Sequence, residues 1–352
     1  MSNAPSRWIS RRARSAAAVI AALSLGALTG IPIGAGLADA PTASGAVEAT
    51  SDRHDAATRD DAAFNRQFEH KFATVDDVRM HYVTGGEGPP LVLIHGWPQT
   101  WFEWRDIMPA LAEHRTVYAI DLPGLGDSYG SPRSFDKKTL AQYVHGLLVD
   151  ELGLDAVDLV AHDLGAGVGF QYATQFPDAV TSYIHMDYPL PSSVALPAAQ
   201  YRTFSWHMSF NSQPALPEQL VDDRQDVREY LEEFYTQVAF GGAAFGGDRS
   251  TPPFTSATID EFTRTYSRPD VLSNGFELYR TLEQDQLDND GVTVSVPTKL
   301  VTATGSLASA EHTITPLFDD LREAVEIPDS GHWLPEENPE AVIHEILSFI
   351  LD

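Results

Sequence analysis

One stretch decides the fold of this chain: Leu159-Val160-Ala161-His162-Asp163-Leu164-Gly165-Ala166-Gly167. The apolar run at 157–161 predicts a buried strand and the segment 165–176 predicts a helix, so Asp163 falls on the turn between them. The residues two positions before and two positions after it are small, which a strained strand-to-helix elbow requires. A catalytic nucleophile is typical of such an elbow, and the position holds Asp here instead of Ser, although an Asp also suits a simple helix cap.

Strands and helices alternate on both sides of this elbow. Alternating apolar residues predict a hairpin at 72–75 and 78–84, and continuous apolar runs predict buried strands at 91–94, 116–120, 180–186, 298–304 and 324–327. Helical spacing predicts helices at 101–111, 137–151 and 339–351. The alternation predicts an α/β fold with a mostly parallel sheet flanked by helices.

The alternation stops after residue 188, where the segments become helical and rich in aromatic residues. Helices are predicted at 201–211, 227–240 and 258–266. We interpret 189–293 as a helical lid inserted into the α/β domain, whose two parts are 66–188 and 294–352.

The first 40 residues predict an export signal. Four Arg precede the uncharged run 15–38, and small residues follow it. An Arg-Arg pair before the run leaves open both the general secretory route and the twin-arginine route. Cleavage is expected after Ala38, with Ala46 as the alternative, and an uncleaved membrane anchor is the competing interpretation. The composition of 41–65 predicts a disordered linker. Because an export signal is predicted, the mature protein is expected outside the cytoplasm.

Composition limits the functions that the chain can have. The formal charge is −27, which argues against nucleic acid or an anionic membrane as a partner, because both bind basic surfaces. The chain has no Cys, which excludes disulfides, thiol catalysis and thiolate metal sites. No clustered ligand motif is seen, so neither a metal nor an organic cofactor is expected. A homodimer is compatible with the sequence.

Two further motifs accompany the elbow: His95-Gly96-Trp97-Pro98 after one strand and Gly331-His332-Trp333 near the end. Together with an Asp on the elbow they resemble the α/β-hydrolase fold and its epoxide hydrolase branch, over residues 66–352. The chain is most similar to secreted bacterial epoxide hydrolases of the Cif type, from which Pro98 departs because that group has Gly there. The similarity also rests on Gln99-Thr100-Trp101 with Glu103-Trp104, Leu122-Pro123-Gly124-Leu125-Gly126, Val160-Ala161-His162-Asp163, Trp206-His207 with Ser209-Phe210, and Leu334-Pro335-Glu336-Glu337.

The resemblance implies a two-step reaction on a small apolar epoxide and water. Asp163 attacks carbon and forms an alkyl ester, and His332 then activates the water that hydrolyses the ester. The backbone N–H groups of Trp97 and Leu164 are expected to stabilise the tetrahedral intermediate as an oxyanion hole.

The base needs an acid partner to hold its tautomer, and two residues are candidates. Asp187 follows the strand predicted at 180–186 and resembles the acid of Cif-type enzymes and of fluoroacetate dehalogenases. Glu311 is the carboxylate found after the strand at 298–304, where many members of the fold carry the acid. We favour Asp187, although it also suits a simple role at the entry to the lid.

Opening an epoxide places negative charge on oxygen, so the lid is expected to supply hydrogen-bond donors. The resemblance assigns His207 and Tyr279 to this role, with Tyr266 as the alternative second donor. Haloalkane or haloacid dehalogenation is the runner-up activity, but Leu164, Gly167 and Met208 stand where dehalogenases carry halide or carboxylate ligands. A third interpretation is a non-catalytic secreted effector or receptor. A broken catalytic triad would indicate that role, but Asp163, His332 and a candidate acid are all present in the sequence.

Overall fold

The computed structural model describes residues 62–351, so the predicted export signal, 1–40, lies outside the described residues. The chain divides into two units, Met1–Arg66 and Gln67–Asp352. Residues 62–67 are helical, which corrects the predicted disordered linker, 41–65, over its last four positions; two consecutive Ala residues favour a helix there. Within the described part of the chain, no helix is long and apolar enough to cross a membrane.

An eight-stranded sheet forms the centre of the second unit. Its strands are β1 (Phe68–Val75), β2 (Val78–Gly85), β3 (Pro90–Ile94), β4 (Thr116–Ile120), β5 (Val157–His162), β6 (Val180–Met186), β7 (Thr298–Thr302) and β8 (Leu321–Glu326). Their order is β1-β2-β4-β3-β5-β6-β7-β8. The pairs β1–β2 and β2–β4 are antiparallel and the others are parallel. This arrangement confirms the predicted α/β fold class.

Thirteen α-helices complete the part of this unit that the structure describes. They are α1 (Met108–Leu111), α2 (Lys137–His145), α3 (Leu164–Gln175), α4 (Ala198–Phe204), α5 (Trp206–Asn211), α6 (Leu216–Leu220), α7 (Arg224–Val238), α8 (Ser256–Tyr266), α9 (Pro269–Arg280), α10 (Leu282–Asn289), α11 (Leu307–Ile314), α12 (Leu334–Glu337) and α13 (Pro339–Ile350). Helices α4 to α10 all lie between β6 and β7, within the range predicted for the lid.

Several predicted elements differ from the observed ones. The strand predicted at 324–327 begins three residues earlier, and the helix predicted at 137–151 is an α-helix to His145 that continues as a π-helix. The predicted helix at 101–111 is a 3₁₀ turn, Trp101–Trp104, followed by the short α1. Strand β1 begins four residues earlier than predicted, because it lies at the edge of the sheet and its first half is mostly exposed and shows no apolar alternation. The predicted helix at 201–211 is broken at Ser205, whose backbone is extended with φ −144° and ψ 157°.

A buried ion pair fastens the lid to the core. Lys137, at the start of α2, lies 2.7 Å from the Asp285 carboxylate on α10, and neither side chain is more than 2% exposed. The same ammonium donates a 2.7 Å hydrogen bond to the Leu278 carbonyl on α9. Removing one partner of a buried pair leaves an uncompensated charge and costs about 3–5 kcal/mol. The lid helix that carries Tyr279 is therefore held at a defined position above the sheet.

Candidate active site

The elbow has the geometry that its sequence predicts. Asp163 joins β5 directly to α3 with φ 50° and ψ −134°, a conformation that a non-glycine residue adopts only under strain of about 1–3 kcal/mol. A Cβ at Gly165 would lie 2.2 Å from the His95 carbonyl oxygen, and one at Gly96 would lie 2.3 Å from the Asp163 Cβ. Asp163 makes no side-chain capping hydrogen bond to α3. Its carboxylate is therefore presented to other partners.

A backbone donor and neighbouring groups act on the Asp163 carboxylate. The Trp97 N–H donates a 2.8 Å hydrogen bond to Asp163 Oδ1. Burial raises the pKa of this carboxyl, but the hydrogen bond and charge of His332, followed by the charge of His162 and the neighbouring Leu164 N–H, lower it to about 2. Asp163 is therefore ionised at neutral pH, with one oxygen in the predicted oxyanion hole.

His332 bridges two carboxylates. Its Nδ1 lies 2.7 Å from Asp187 Oδ2, and its Nε2 lies 3.4 Å from Asp163 Oδ2. The second Asp187 oxygen accepts a 3.0 Å hydrogen bond from the Ala303 N–H. Burial lowers the pKa of His332, but the hydrogen bonds and charges of both carboxylates raise it to about 10. Glu311 is exposed on α11 and makes no hydrogen bond or ion pair with His332 in the described structure.

Sheet topology explains why these residues meet. Strands β3, β5, β6 and β7 are parallel neighbours, so the loops at their carboxyl ends lie at one edge of the sheet. Trp97 follows β3, Asp163 follows β5 and Asp187 follows β6. Like Asp163, Asp187 has a positive φ, 45°, which turns its side chain out of the strand direction.

The lid brings His207 and Tyr279 close to each other. Both side chains are buried, and their ring centroids lie 6.0 Å apart at nearly right angles. Burial lowers the pKa of His207 to about 3 against the opposing charge of Asp163, whereas burial and then the Asp163 charge raise the pKa of Tyr279 well above its usual value. Both are therefore neutral at pH 7. The alternative, Tyr266, already donates a 2.6 Å hydrogen bond to the Gln99 carbonyl.

Aromatic rings pack around these two lid residues. The Phe234 ring meets His207 edge to face at 4.5 Å, and the Trp97 ring meets Tyr279 at 6.2 Å. A Cβ at Gly275 would lie 1.5 Å from the Trp97 ring, so α9 approaches that ring closely only because Gly275 has no side chain. Aromatic rings therefore border both polar groups.

A buried pair beside the elbow was not predicted. His162 Nδ1 lies 2.7 Å from Glu103 Oε1, with both side chains wholly buried, and the His162 ring centroid lies 4.8 Å from that of His332. Glu103 also accepts a 3.3 Å hydrogen bond from the Gly96 N–H, next to the Trp97 donor. Both residues belong to motifs noted in the sequence, but pattern alone does not show that they pair. The pair supports the loop that holds the Asp163 carboxylate.

Two groups of side chains in the described structure have the spacing of metal ligands, and neither includes a predicted site residue: His81, Asp121 and Asp127, and Asp222, Asp223 and Asp226. Asp121 accepts hydrogen bonds from His81 and from the Trp101 and Asp127 N–H groups. Asp223 accepts the capping bonds of α7. Both groups therefore include a carboxylate that already stabilises local structure.

Comparison with known proteins agrees with the fold. The family model described as alpha/beta hydrolase fold matches residues 89–339. A soluble epoxide hydrolase of Corynebacterium sp. (strain C12) is 34% identical over 299 residues, which are 80% of this chain and 97% of that protein. A fluoroacetate dehalogenase of Burkholderia sp. is 31% identical over 222 residues, or 60% of this chain and 69% of the relative.

Solved structures show the same relationship. The crystal structure of wild-type Cfl2 from Burkholderia cenocepacia superposes with a TM-score of 0.70 at 31% identity, covering 80% of this chain and 96% of that one. On the sequence relationship, the fold and the family match, this chain belongs to the epoxide hydrolase family of the α/β-hydrolase fold.

Proposed function

We propose that this protein hydrolyses an epoxide to a vicinal diol through a covalent ester on Asp163. One arrangement carries the proposal: an ionised carboxylate contacts a His–Asp pair, and Trp97, whose N–H binds that carboxylate, packs its ring against Tyr279, which in turn packs against His207. Both lid residues are buried and neutral and can donate hydrogen bonds. This arrangement provides a nucleophile for carbon, a base for water and a proton source for oxygen. The relatives named as epoxide hydrolases support the same activity.

Ring opening is the first step. Asp163 Oδ1 is occupied by the Trp97 N–H, so Oδ2, which lies toward His332, is the oxygen that attacks an epoxide carbon. As the new C–O bond forms, the epoxide C–O bond breaks and its electron pair remains on the oxygen. His207 and Tyr279 donate hydrogen bonds to that oxygen, and one of them supplies the proton that completes the hydroxyl group. The product is a hydroxyalkyl ester.

The ester changes the protonation of His332. In the free enzyme two carboxylates hold the imidazole as a cation, with its pKa raised to about 10. Esterification removes the charge of Asp163, so one of the two groups that raise this pKa is lost while burial still lowers it. His332 therefore gives up its Nε2 proton, which returns to the lid donor that protonated the epoxide oxygen, and it becomes a base only after the first step, with Asp187 still holding its Nδ1 proton.

Hydrolysis then regenerates the enzyme. His332 takes a proton from water, and the hydroxide attacks the ester carbonyl carbon of Asp163. The carbonyl oxygen becomes negative where the Trp97 N–H already binds it, and the Leu164 N–H is the second donor that we propose for this oxygen. Collapse of this intermediate breaks the bond between the carbonyl carbon and the diol oxygen, and the His332 proton passes to that oxygen. The carboxylic acid proton of Asp163 then returns to His332, which restores the ionised nucleophile and the imidazolium.

A small apolar epoxide is the substrate that we propose. The aromatic packing around His207 and Tyr279 supports an apolar substrate, with the polar contacts confined to the reacting oxygen.

Dehalogenation is the second candidate, because one relative is named a fluoroacetate dehalogenase. The side chains at Leu164, Gly167 and Met208 disfavour it, since none of the three can donate a hydrogen bond to a halide or carboxylate. A non-catalytic role is disfavoured by the contact of Asp163, His332 and Asp187 in one chain.

Export and membership of the Cif-type group form part of the proposal. The uncharged run 15–38 behind four Arg supports export, and the dispersed motifs around Glu103, Trp206 and His332 support the subgroup. N-terminal sequencing of protein from the periplasm or medium of the native host tests the export proposal. We expect the mature chain to begin between Asp39 and Val47, and a full-length chain in the membrane fraction contradicts it.

A panel of epoxides and fluoroacetate, assayed for diol and for fluoride release, distinguishes the two activities. We expect diol from at least one apolar epoxide and no fluoride. H332Q should form the ester but not release it, so its intact mass should rise by one epoxide, whereas D163N should gain no mass. Fluoride release with no diol from any epoxide contradicts the proposed function.

A further inference from the structure

Ser205 occupies a helix N-cap but does not cap the helix. It precedes α5 with extended backbone angles, the position at which a serine hydroxyl normally accepts a hydrogen bond from the first turn. No side-chain capping bond is present. Instead the Ser205 hydroxyl lies 2.7 Å from Nδ1 of His207, two residues later in the same helix. A bond that usually stabilises a helix is replaced by a bond to an imidazole ring.

This ring needs a partner that selects its tautomer. His207 is buried and neutral, and a neutral imidazole has a single N–H group, on either Nδ1 or Nε2. The edge-to-face contacts with Phe234 and Trp206 hold the ring plane, but aromatic packing does not determine which nitrogen is protonated. Within the described residues, the ring has Ser205 as its hydrogen-bonding partner, at Nδ1. Nε2 is therefore left for a ligand.

We propose that Ser205 is a positioning residue whose hydroxyl donates a hydrogen bond to Nδ1 and thereby holds His207 as the Nε2–H tautomer. The inference rests on the proposed function, in which His207 donates a hydrogen bond to the epoxide oxygen. In the opposite tautomer Nδ1–H donates to the serine oxygen, and the Nε2 lone pair faces the oxygen on which negative charge develops. That arrangement opposes ring opening, so the choice of tautomer determines whether His207 assists the first step.

The first readout is the tautomer itself, measured by nitrogen NMR on protein labelled in histidine. The His207 signals are assigned by their loss in H207A. In the wild type we expect His207 with its proton on Nε2, and in S205A we expect a mixture of tautomers. S205T keeps a hydroxyl and should retain the Nε2–H form. A wild-type His207 protonated on Nδ1, or an unchanged tautomer in S205A, overturns the proposal.

The second readout is the rate of ester formation, followed by intact mass in the H332Q background. Loss of one hydrogen bond that orients the donor should slow alkylation about 2- to 10-fold in S205A, with the half-saturating epoxide concentration nearly unchanged and with recovery in S205T. The matched control is S209A, because Ser209 is exposed on the same helix and its hydroxyl donates to the Arg202 carbonyl. An equal rate loss in S209A contradicts a specific role for Ser205.

The two readouts separate this inference from the proposed function. If H207A alkylates at the wild-type rate, the donor role of His207 fails, while the NMR signals still decide whether Ser205 selects the tautomer. Thermal unfolding of S205A and S209A shows whether either variant loses stability. If S205A alone is unstable and S205T restores neither the tautomer nor the rate, Ser205 has only a structural role and the proposal is overturned.

Discussion

Replacing Asp187 by Asn should slow ester hydrolysis strongly, because the variant side chain changes which nitrogen of His332 carries the proton. Asp187 uses one oxygen to accept from the Ala303 N–H at 3.0 Å and the other to bind His332 Nδ1 at 2.7 Å. An Asn at this position has one oxygen, and the Ala303 N–H requires an acceptor. The amide NH₂ group of the variant must therefore face His332, where it donates to Nδ1 and leaves the proton of a neutral ring on Nε2. A ring in that tautomer cannot take a proton from water.

The size of the effect follows from these contacts. A hydrogen bond to a charged group contributes about 1.5–3 kcal/mol, and a buried group left without its proper partner costs about 1–3 kcal/mol. Because about 1.4 kcal/mol corresponds to a tenfold change in rate, hydrolysis in D187N should be slower by roughly 10²–10⁴-fold. Alkylation by Asp163 does not require His332 as a base, so it should be affected much less.

Rapid mixing with epoxide, acid quenching and intact mass measurement follow both steps in one assay. D187N should accumulate the ester to nearly one per chain, and E311Q is the matched control because Glu311 is the exposed alternative acid. E311Q should behave as the wild type. Wild-type hydrolysis in D187N, or accumulation of ester in E311Q, refutes the assignment of Asp187.

Three further predictions concern the lid and the stability of the protein. Y279F and H207A should each slow alkylation by about 10²–10³-fold in single-turnover assays while melting as the wild type does, and wild-type rates in both refute the two donors. K137M should lower the free energy of unfolding by about 3–5 kcal/mol in urea titrations, because the buried Asp285 carboxylate loses its partner; a change below 1 kcal/mol contradicts the fastening role. The pKa of His332 is raised from 6.5 to about 10 on folding, so its contribution is fully present below pH 6.5 and is lost as the pH rises toward 10. The stability advantage of the wild type over H332Q should therefore shrink across that range, and a constant difference contradicts it.

The elbow was predictable because its constraints are local. Small residues around Asp163 are required wherever a strand turns directly into a helix, and the observed contacts at Gly165 show why. The alternation of strands and helices also predicted a mostly parallel sheet, in which residues that follow neighbouring strands, such as Asp163 and Asp187, lie at one edge. The sequence left Glu311 open as the acid, and its exposure on α11 became visible only in the structure.

Contacts between distant parts of the chain, and side-chain hydrogen bonds that interrupt a helix, were not predictable from the sequence. Glu103 and His162 are 59 positions apart, and nothing in either motif shows that burial joins them. The break at Ser205 depends on a serine hydroxyl that binds a ring instead of the helix, which helical spacing does not detect. The start of β1 was missed because an edge strand exposed to solvent has no apolar alternation.

A single turnover in heavy-oxygen water, with enzyme in excess over epoxide, tests the covalent mechanism most directly. If Asp163 Oδ2 attacks carbon, that oxygen leaves with the diol and a solvent oxygen enters the regenerated carboxylate. The first diol should then contain no heavy oxygen, and the peptide that contains Asp163 should gain one. Direct attack of activated water on the epoxide gives the reverse, a labelled first diol and an unlabelled Asp163 peptide, and that result contradicts the account.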